Sequence, residues 1–338
     1  MGFPRGLTSI DCMGKVFTVY REDTDRWFCG DRMLRKVARR MLRPRPTHLS
    51  GMQRVVHNFL TGLQAEGRPF SFNPSRRAAP RGSKIISFGL GRLGVEGVSV
   101  DSPVIAAIGF PHPADAIDLF KRFDVRVYLQ HSQWVLDWVA SVSPVNNVKF
   151  GLWHAGIDTD EWCPPSEPTT KNIDILIYYK IHWDQEYWDR MLVDPIKREL
   201  ERRGLNVHQI DYGAYAPAEY RALLSRSRGM LFLGPHETQG FAYQESLSCG
   251  VPVLAWEPGY WLDPIRFNYG TDVVPATSVP FFDDRCGLTF RDAEEFGSKL
   301  DEFYEKCRQK LYQPRRYVMD NLTIAGSTRR MLEFYDRI

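Results

Sequence analysis

The chain has 338 residues, which is enough for two domains of ordinary size. Its hydrophobic content of 43% and charged content of 25% are typical of a globular protein in water, and its net charge of +3 is too small to indicate nucleic-acid binding. The six cysteines show no C-x-x-C spacing, which indicates a reducing compartment and no zinc site. No stretch approaches the roughly 18 apolar residues of a membrane span. The N-terminus lacks the apolar core of a signal peptide, so we expect a cytoplasmic protein.

Short apolar runs alternate with helical patterns through the first half of the chain. Ser50 is the expected N-cap of a helix over 55–66, which Gly67 ends. The glycine-rich stretch 89–100 is interpreted as a loop and not a dinucleotide fingerprint, because no long helical pattern follows it. The strands predicted for this half are 15–20, 69–72, 84–88, 104–108, 126–129 and 148–152.

A basic amphipathic helix is predicted over 31–45. Apolar side chains recur at helical spacing on one face, Arg and Lys cover the other, and Pro44 and Pro46 end the pattern. Such a helix can lie on an anionic membrane surface, at roughly 1 kcal/mol per basic residue. It can also pack its apolar face on its own domain, and we favour packing because that face has no Trp or Phe.

The second half begins after a Pro-, Ser- and Thr-rich stretch over 164–171, a composition that marks a domain boundary. The strands predicted here are 172–179, 205–210, 230–233 and 251–256, and the helices are 184–203, 217–225, 241–249, 292–308 and 315–338. Many tryptophans lie near predicted strand ends, where a sugar site could use them, although most are expected in the core.

The stretch 229–259 carries the functional prediction. Two buried strands flank a helix here, which indicates a βαβ unit with parallel strands. Ligands of open α/β sheets bind outside the carboxyl ends of the strands, so the polar turn 236–240 is the expected binding site. The N–H groups at the start of the following helix suit a phosphate. A carboxylate beside that phosphate can take the two hydroxyls of a ribose.

The carboxylates of this stretch follow a recognisable spacing. Glu237 is followed by seven residues and then Glu245, and 250–253 reads Gly-Val-Pro-Val. This pattern resembles the nucleotide-binding motif of retaining GT-B-fold glycosyltransferases of the large family 4 group. The resemblance implies that Glu237 is catalytic and lies at the transferred sugar. The donor-binding residues that it implies here are Gln239, Gly240, Phe241, Ala242 and Glu245. An ordinary surface pair of glutamates is the alternative.

Other segments resemble the same family more loosely. Gly51 and Arg54 match a turn that faces donor and acceptor across the cleft. His112 matches a functional histidine that contacts the donor sugar or the acceptor, so it is implied to be catalytic. The segment 154–164 resembles the one that closes the family's N-terminal domain, and Gly259 lies where the family keeps a glycine turn near the sugar and phosphate.

The family also clamps the diphosphate with two cations. One follows the first strand of the second domain, and a Lys comes about five residues later. Lys180 matches the first position and is implied to be catalytic, whereas Gln185 or Glu186 falls at the second. The second cation is therefore missing, and His182 is expected to replace it as a donor-binding residue if it is protonated.

The resemblance implies an α/β protein of the GT-B fold, in which two Rossmann-like domains with parallel sheets face a central cleft. The expected domains are 1–163 and 164–318, with a C-terminal helix over 319–338 that returns to the first. The implied reaction transfers a sugar from a nucleoside-diphosphate donor to a glycan, lipid or other hydroxyl acceptor, with retention. The metal-binding Asp-x-Asp motif belongs to the other major glycosyltransferase fold, so we expect neither a metal nor another cofactor.

Three alternatives remain open on the sequence. The first is a GT-B enzyme of another reaction type, such as an epimerase or an inverting transferase. The second is a nucleotide-sugar-binding module that has lost catalysis with its second clamp. The third is a membrane or polyanion adaptor built around 31–45. The expected partners are a nucleotide sugar and a glycan or lipid-linked acceptor, with peripheral membrane contact through 31–45 also considered, and no nucleic acid.

Overall fold

A computed structural model describes residues 14–21, 34, 37–38, 49–74, 79–89, 94–95, 98–270 and 273–338. Most of the predicted basic helix over 31–45 lies outside these ranges. Of that segment, the structure describes only Leu34, Val37 and Ala38, which are helical and exposed. The membrane contact proposed for it therefore stays a prediction.

The described chain forms two compact units. The first unit contains the described residues up to His131, together with 139–156 and 324–338. The second unit contains 132–138 and 157–323. Each unit is an α/β structure built on one parallel sheet.

The described strands form two parallel sheets. In the first unit the strand order is β2-β1-β3-β4-β5-β6, and in the second it is β11-β10-β9-β7-β8. The strands are β1 (Val16–Arg21), β2 (Phe70–Phe72), β3 (Ile85–Gly89), β4 (Val104–Ala106), β5 (Val125–Gln130), β6 (Lys149–Leu152), β7 (Ile173–Tyr179), β8 (Val207–Asp211), β9 (Ser227–Leu233), β10 (Val253–Trp256) and β11 (Gly287–Phe290).

Helices follow most of the strands. A 3₁₀ helix (Pro264–Tyr269) lies between β10 and β11, and a π-helical turn (Asp189–Val193) separates α4 from α5. The α-helices are α1 (Gly51–Ala65), α2 (Ile117–Arg122), α3 (Gln133–Val142), α4 (Gln185–Trp188), α5 (Asp194–Arg202), α6 (Pro217–Arg226), α7 (Phe241–Ser248), α8 (Ala293–Arg308), α9 (Pro314–Asn321) and α10 (Ile324–Arg337).

The first unit is held by a helix pair on its sheet. Ser50 caps α1 as predicted, because its Oγ accepts from the amide of Gln53 at 3.3 Å while the Gln53 side chain accepts from the Ser50 amide. α10 packs on α1. The indole of Trp153, which is fully buried after β6, donates to the Ser327 carbonyl at 3.0 Å and so fastens α10 to the sheet.

The sheet of the second unit separates two apolar layers. Neighbouring residues of a strand point to opposite faces, so Tyr178 enters one layer with α6, α7 and α9, and Tyr179 enters the other with α5 and α8. Both layers reach the carboxyl ends of the strands, which is where the predicted site residues lie.

Two long helices of the sequence prediction were wrong. The predicted helix over 184–203 is interrupted by the π-helical turn. Pro195 has no N–H to donate, and the backbone hydrogen bonds before it change from the α-helical to the wider π-helical spacing. The predicted helix over 315–338 is two helices, since the chain between α9 and α10 leaves the helix at Thr323 to pair with Ile157. The sequence prediction also missed α2, α3 and β11.

Candidate active site

Three loops meet at one edge of the second sheet. They follow β7, β9 and β10, which are neighbours in the order β10-β9-β7 and run parallel, so their carboxyl ends share an edge. The loops carry Lys180, Glu237 and Glu257 respectively. The structure therefore brings together residues that are far apart in the chain.

Lys180 and Glu237 form a largely buried ion pair. The Lys180 Nζ lies 2.5 Å from Glu237 Oε1, and the two side chains are 22% and 9% exposed. The Lys180 amide donates to the Leu233 carbonyl at 2.9 Å, which continues the β7–β9 pairing into the loops. The ammonium also lies 4.7 Å from the centre of the exposed Tyr212 ring. A cation and a carboxylate are thus held side by side at the sheet edge.

The backbone of Glu237 is fixed at both ends of the residue. Its amide donates to the Thr277 carbonyl at 2.9 Å, and its carbonyl accepts from the Trp134 indole at 2.8 Å. Glu257 in turn holds the 277–278 turn, because its Oε2 accepts from Thr277 Oγ1 at 2.5 Å and from the Ser278 amide at 2.9 Å. The position of the Glu237 carboxylate is therefore set before any ligand binds.

Gly240 shapes the start of α7. Its φ of +81° lies in the left-handed region, and a Cβ there would come 2.0 Å from Cε1 of Tyr243. Tyr243 is fully buried, and its hydroxyl accepts from the Phe281 amide at 3.1 Å, so the ring has no room to move. Glycine lets α7 begin beside Glu237, with Phe241 and Ala242 half-buried in its first turn. A helix leaves first-turn N–H groups without intrahelical acceptors.

Gln239 acts within the turn itself. Its side-chain amide donates to Gln244 Oε1 at 2.8 Å, and the side-chain amide of Gln244 donates to the backbone carbonyl of Gln239 at 2.5 Å. Both residues are buried. The structure therefore gives Gln239 a part in shaping the turn, and direct donor binding by this residue stays a prediction.

Glu245 lies in α7 behind Glu237 and is 2% exposed. Burial raises the pKa of the Tyr178 phenol at the end of β7, and the neighbouring Tyr215, Glu237 and Glu245 raise it further. Both carboxylates therefore lie close enough to Tyr178 to act on it. The structure brings the two predicted glutamates to one region of the second unit.

The surroundings of His182 disfavour its protonation, although Glu237 acts in the opposite direction. Loss of hydration lowers its pKa from the ordinary value, and the nearby Lys180 lowers it further. The expectation that a protonated His182 replaces the missing clamp is therefore opposed by its surroundings. Gln185, at the clamp position itself, donates to the Tyr179 hydroxyl at 2.9 Å, and that hydroxyl donates to Asp189 at 2.7 Å.

Gly259 lies on the loop after β10, in the same region. Its φ is +86°, its amide donates to Glu257 Oε1 at 3.3 Å, and its carbonyl accepts from the Ala276 amide at 3.2 Å. The residue is exposed. Gly259 thus links the loop after β10 to the segment before the 277–278 turn, which Glu257 holds.

A cavity of about 420 Å³ opens beside Lys180, on the side of the π-helical turn. Its walls come from the ends of β7 and β8 and from the α4–α5 segment, and they include Asp189, Lys197, Asp211 and Tyr212. The sequence analysis did not predict this cavity, because it predicted a regular helix where the π-helical turn lies.

Three tryptophan side chains surround His236 of the predicted turn 236–240, and the sequence prediction named neither these rings nor His236 as individual site residues. His236 stacks on Trp183, with ring centres 5.3 Å apart and an interplanar angle of 22°. Trp134 and Trp261 meet the same imidazole edge-on, each at 6.2 Å. The clustering of tryptophans near predicted strand ends was the one sequence signal that pointed to them.

The remaining predicted residues lie in the first unit. His112 Nδ1 accepts from the Ala114 amide at 3.0 Å, and burial lowers its pKa although Asp115 acts in the opposite direction. Gly51 is the exposed first residue of α1, and Arg54 follows in the same turn. Gly109 lies in the same loop as His112, and a Cβ built on it would lie 2.6 Å from Cε of Met52 in α1. The His112 loop and the start of α1 are therefore close neighbours.

Two Asp-x-Asp sequences occur in the chain, at 23–25 and 158–160, although the motif belongs to the other glycosyltransferase fold. The first lies outside the described residues. In the second, Asp158 Oδ1 accepts from the amides of Asp160 and Glu161 and closes a turn. Within the described ranges, no group of three or more potential metal ligands occurs and no helix is long and apolar enough to cross a membrane.

Solved structures similar to this chain share its two-unit architecture. AviGT4, a glycosyltransferase involved in avilamycin A biosynthesis, is 14% identical, with a TM-score of 0.55 over 96% of this chain and 97% of its own. WaaG, a glycosyltransferase involved in lipopolysaccharide biosynthesis, is 10% identical, with a TM-score of 0.52 over 95% and 99%. TarM is 10% identical, with a TM-score of 0.52 over 83% of this chain and 58% of TarM. No protein-family model and no curated protein matched the sequence.

Two parallel-sheet α/β units and these structural neighbours define the GT-B fold, so the fold class predicted from the sequence is confirmed. Identities of 14% and 10% show the fold alone. The resemblance to GT-B glycosyltransferases thus holds for the architecture, and the reaction has to be argued from the site.

We predict that Gly240→Ala destabilises the protein by roughly 3 kcal/mol, because the left-handed backbone and the contact with Tyr243 both oppose a Cβ. Gly204→Ala is the matched control, since Gly204 also has a positive φ (+64°) but has no atom within 4 Å of a built Cβ. The control should lose only about 1 kcal/mol. Urea unfolding measures both values, and equal losses would contradict the packing role of Gly240.

We also predict that Glu257→Ala lowers the free energy of unfolding by roughly 2 kcal/mol, because hydrogen bonds to a charged acceptor are lost from the 277–278 turn. Glu257→Gln keeps an oxygen acceptor and should lose less. Hydrogen exchange of the Glu237 amide, which depends on that turn, should accelerate in the Ala variant. Unchanged exchange would show that Glu257 does not hold the Glu237 loop.

Proposed function

We propose that the protein is a glycosyltransferase that moves a sugar from a nucleoside-diphosphate donor to a hydroxyl acceptor. The observation that carries the proposal is the meeting of a cation, a carboxylate and a helix N-terminus at one sheet edge: Lys180, Glu237 and the first turn of α7. A GT-B fold with this arrangement supports a diphosphate against α7 and a sugar against Glu237.

The chemical problem is charge on the leaving group. As the bond between sugar and phosphate breaks, negative charge develops on the diphosphate and the sugar becomes cationic. First-turn N–H groups of α7 and the ammonium of Lys180 can stabilise the anion, and one well-placed donor of this kind lowers a barrier by roughly 3 kcal/mol. The carboxylate of Glu237 can hold hydroxyls of the sugar and stabilise its positive charge.

In this proposal Lys180 binds both the carboxylate of Glu237 and the diphosphate. Its ammonium neutralises Glu237, which is 8% exposed and would otherwise be a buried, unpaired charge. An ammonium has three donors, so it can add a phosphate oxygen without leaving the carboxylate. This double role offers a reason why one cation suffices where Gln185 or Glu186 falls at the position of the second.

The similar structures support a nucleotide-sugar donor. S. aureus TarM was solved with UDP and α-GlcNAc-glycerol, and a pneumococcal O-GlcNAc transferase with UDP and GlcNAc. For this chain we propose Glu245 as the ribose ligand and transfer with retention, without a metal. The acceptor is proposed to be a glycan, a lipid-linked glycan or another hydroxyl compound, met by the first unit through His112, Gly51 and Arg54.

A nucleotide-sugar-binding module is the second candidate. It is favoured by the hydrogen bond of Gln185 to Tyr179 and by the burial and the neighbouring Lys180 that lower the pKa of His182, because both weaken a second clamp. Slow hydrolysis of the donor in the absence of acceptor would distinguish the enzyme from the module.

We expect one nucleoside diphosphate from a panel of UDP, GDP, ADP and dTDP to stabilise the protein. At about 100 times its dissociation constant, a ligand of the folded state adds roughly 2.7 kcal/mol, which raises the melting temperature. Glu245→Ala should remove this shift, whereas Glu201→Ala, an exposed glutamate on α5, should keep it. No shift with any diphosphate would contradict the proposed function.

Substitution of the ion pair should separate binding from turnover. Glu237→Ala is expected to lower turnover by roughly two orders of magnitude while the affinity for the diphosphate changes little, because the carboxylate contacts the sugar. Lys180→Met should weaken the diphosphate and also destabilise the fold by roughly 3 kcal/mol, since it leaves Glu237 buried without a partner. Turnover near that of the wild type in Glu237→Ala would reject the assignment.

A further inference from the structure

His236 immediately precedes Glu237 and lies in an aromatic enclosure. Its imidazole stacks on the Trp183 ring, while Trp134 and Trp261 approach at interplanar angles of 83° and 75°. Trp134 also donates to the Glu237 carbonyl, so the enclosure and the Glu237 loop are one structure. The imidazole thus belongs to the loop that carries Glu237, and it lies close enough to Lys180, the partner of Glu237, to feel its charge.

One nitrogen of this imidazole has no partner. His236 Nδ1 is buried and makes no hydrogen bond. Buried polar atoms in proteins are nearly always paired, so an unpaired one beside a proposed site indicates a group that a ligand satisfies. A hydroxyl suits it in either tautomer, because a hydroxyl both donates and accepts.

The enclosure also keeps the imidazole neutral. Burial, followed by repulsion from Lys180, His182 and Arg266, lowers the pKa of His236 to about 4. The carboxylates on the elements packed against it each have a partner of their own. These are Glu237 with Lys180, Glu257 with the 277–278 turn, Asp263 with the Ile265 amide, and Asp137 with Gln133. A neutral imidazole can therefore bind a sugar hydroxyl without adding charge beside Lys180.

Trp183 is the least restrained wall of the enclosure. Trp134 is held by its hydrogen bond, and Trp261 is buried against Val274, whose carbonyl accepts from the Trp261 amide at 2.8 Å. The ring contacts of Trp183 are with His182 and His236, on the loop after β7. Of the three tryptophans, Trp183 therefore has the fewest contacts that would oppose its displacement by a ligand at Nδ1.

We propose that His236 is a substrate-binding residue that sets sugar specificity: its Nδ1 binds a hydroxyl of the sugar held at Glu237, and the Trp183 ring covers this contact. The inference rests on the proposed function, because it requires a sugar at Glu237. It adds a recognition element that the Glu-x7-Glu motif does not include.

The test uses His236→Phe, which keeps an aromatic ring but has no nitrogen. The substrates are matched pairs of diphosphate and nucleotide sugar: UDP with UDP-glucose, GDP with GDP-mannose, and ADP with ADP-glucose. The affinity for the diphosphate should stay within about twofold, whereas kcat/KM for the nucleotide sugar should fall roughly tenfold, the effect of one hydrogen bond. His208→Phe, at an exposed position of β8, is the matched control and should change neither.

NMR of ¹⁵N-histidine provides a readout that does not depend on turnover. The signal missing from His236→Phe belongs to His236, and it should move when the nucleotide sugar is added but not when the matched diphosphate is added. Binding of a nucleotide sugar that leaves this signal unmoved, or unchanged kcat/KM in His236→Phe, would overturn the role of His236 and leave the proposed function standing. Failure of every pair to bind would overturn both.

Discussion

The buried pair of Lys180 and Glu237 is the constraint on which the site depends. Removing two charges from water is unfavourable unless they meet with good geometry, so the fold must bring their loops together. It does so by pairing β7 with β9 in parallel register, Tyr179 opposite Leu233, so that each strand ends next to its partner. The residues that follow the two strands then face each other across the sheet edge.

Rigidity around this pair comes from neighbours that lie far away in sequence. Thr277 and Trp134 hold the two backbone groups of Glu237, and Glu257 holds Thr277. Gly240 allows α7 to begin within the same turn. The carboxylate, the ammonium and the helix terminus are thus held by contacts within the protein, and preorganisation of this kind is what electrostatic stabilisation of a leaving group requires.

The aromatic residues of the second unit divide into two groups by their surroundings. Trp256 is fully buried in the apolar layer below the sheet, where its role is packing. Trp134, Trp183 and Trp261 instead gather around His236 at the carboxyl edge. The amino-acid composition does not distinguish the two groups of tryptophans. Only their position relative to the strand ends shows which belong to the core and which to the candidate site.

The sequence by itself determined the strand–turn–helix–strand unit over 229–259, because hydrophobic period, turn chemistry and the spacing of Glu237 and Glu245 are local properties of a short stretch. It also indicated Lys180 as a strand-end cation. The tertiary structure alone decided that Lys180 pairs with Glu237, that Glu257 supports their loop, and that aromatic rings enclose the residue before Glu237. Those contacts depend on the order of the parallel strands in the sheet. The pattern of residues within a short stretch does not determine that order.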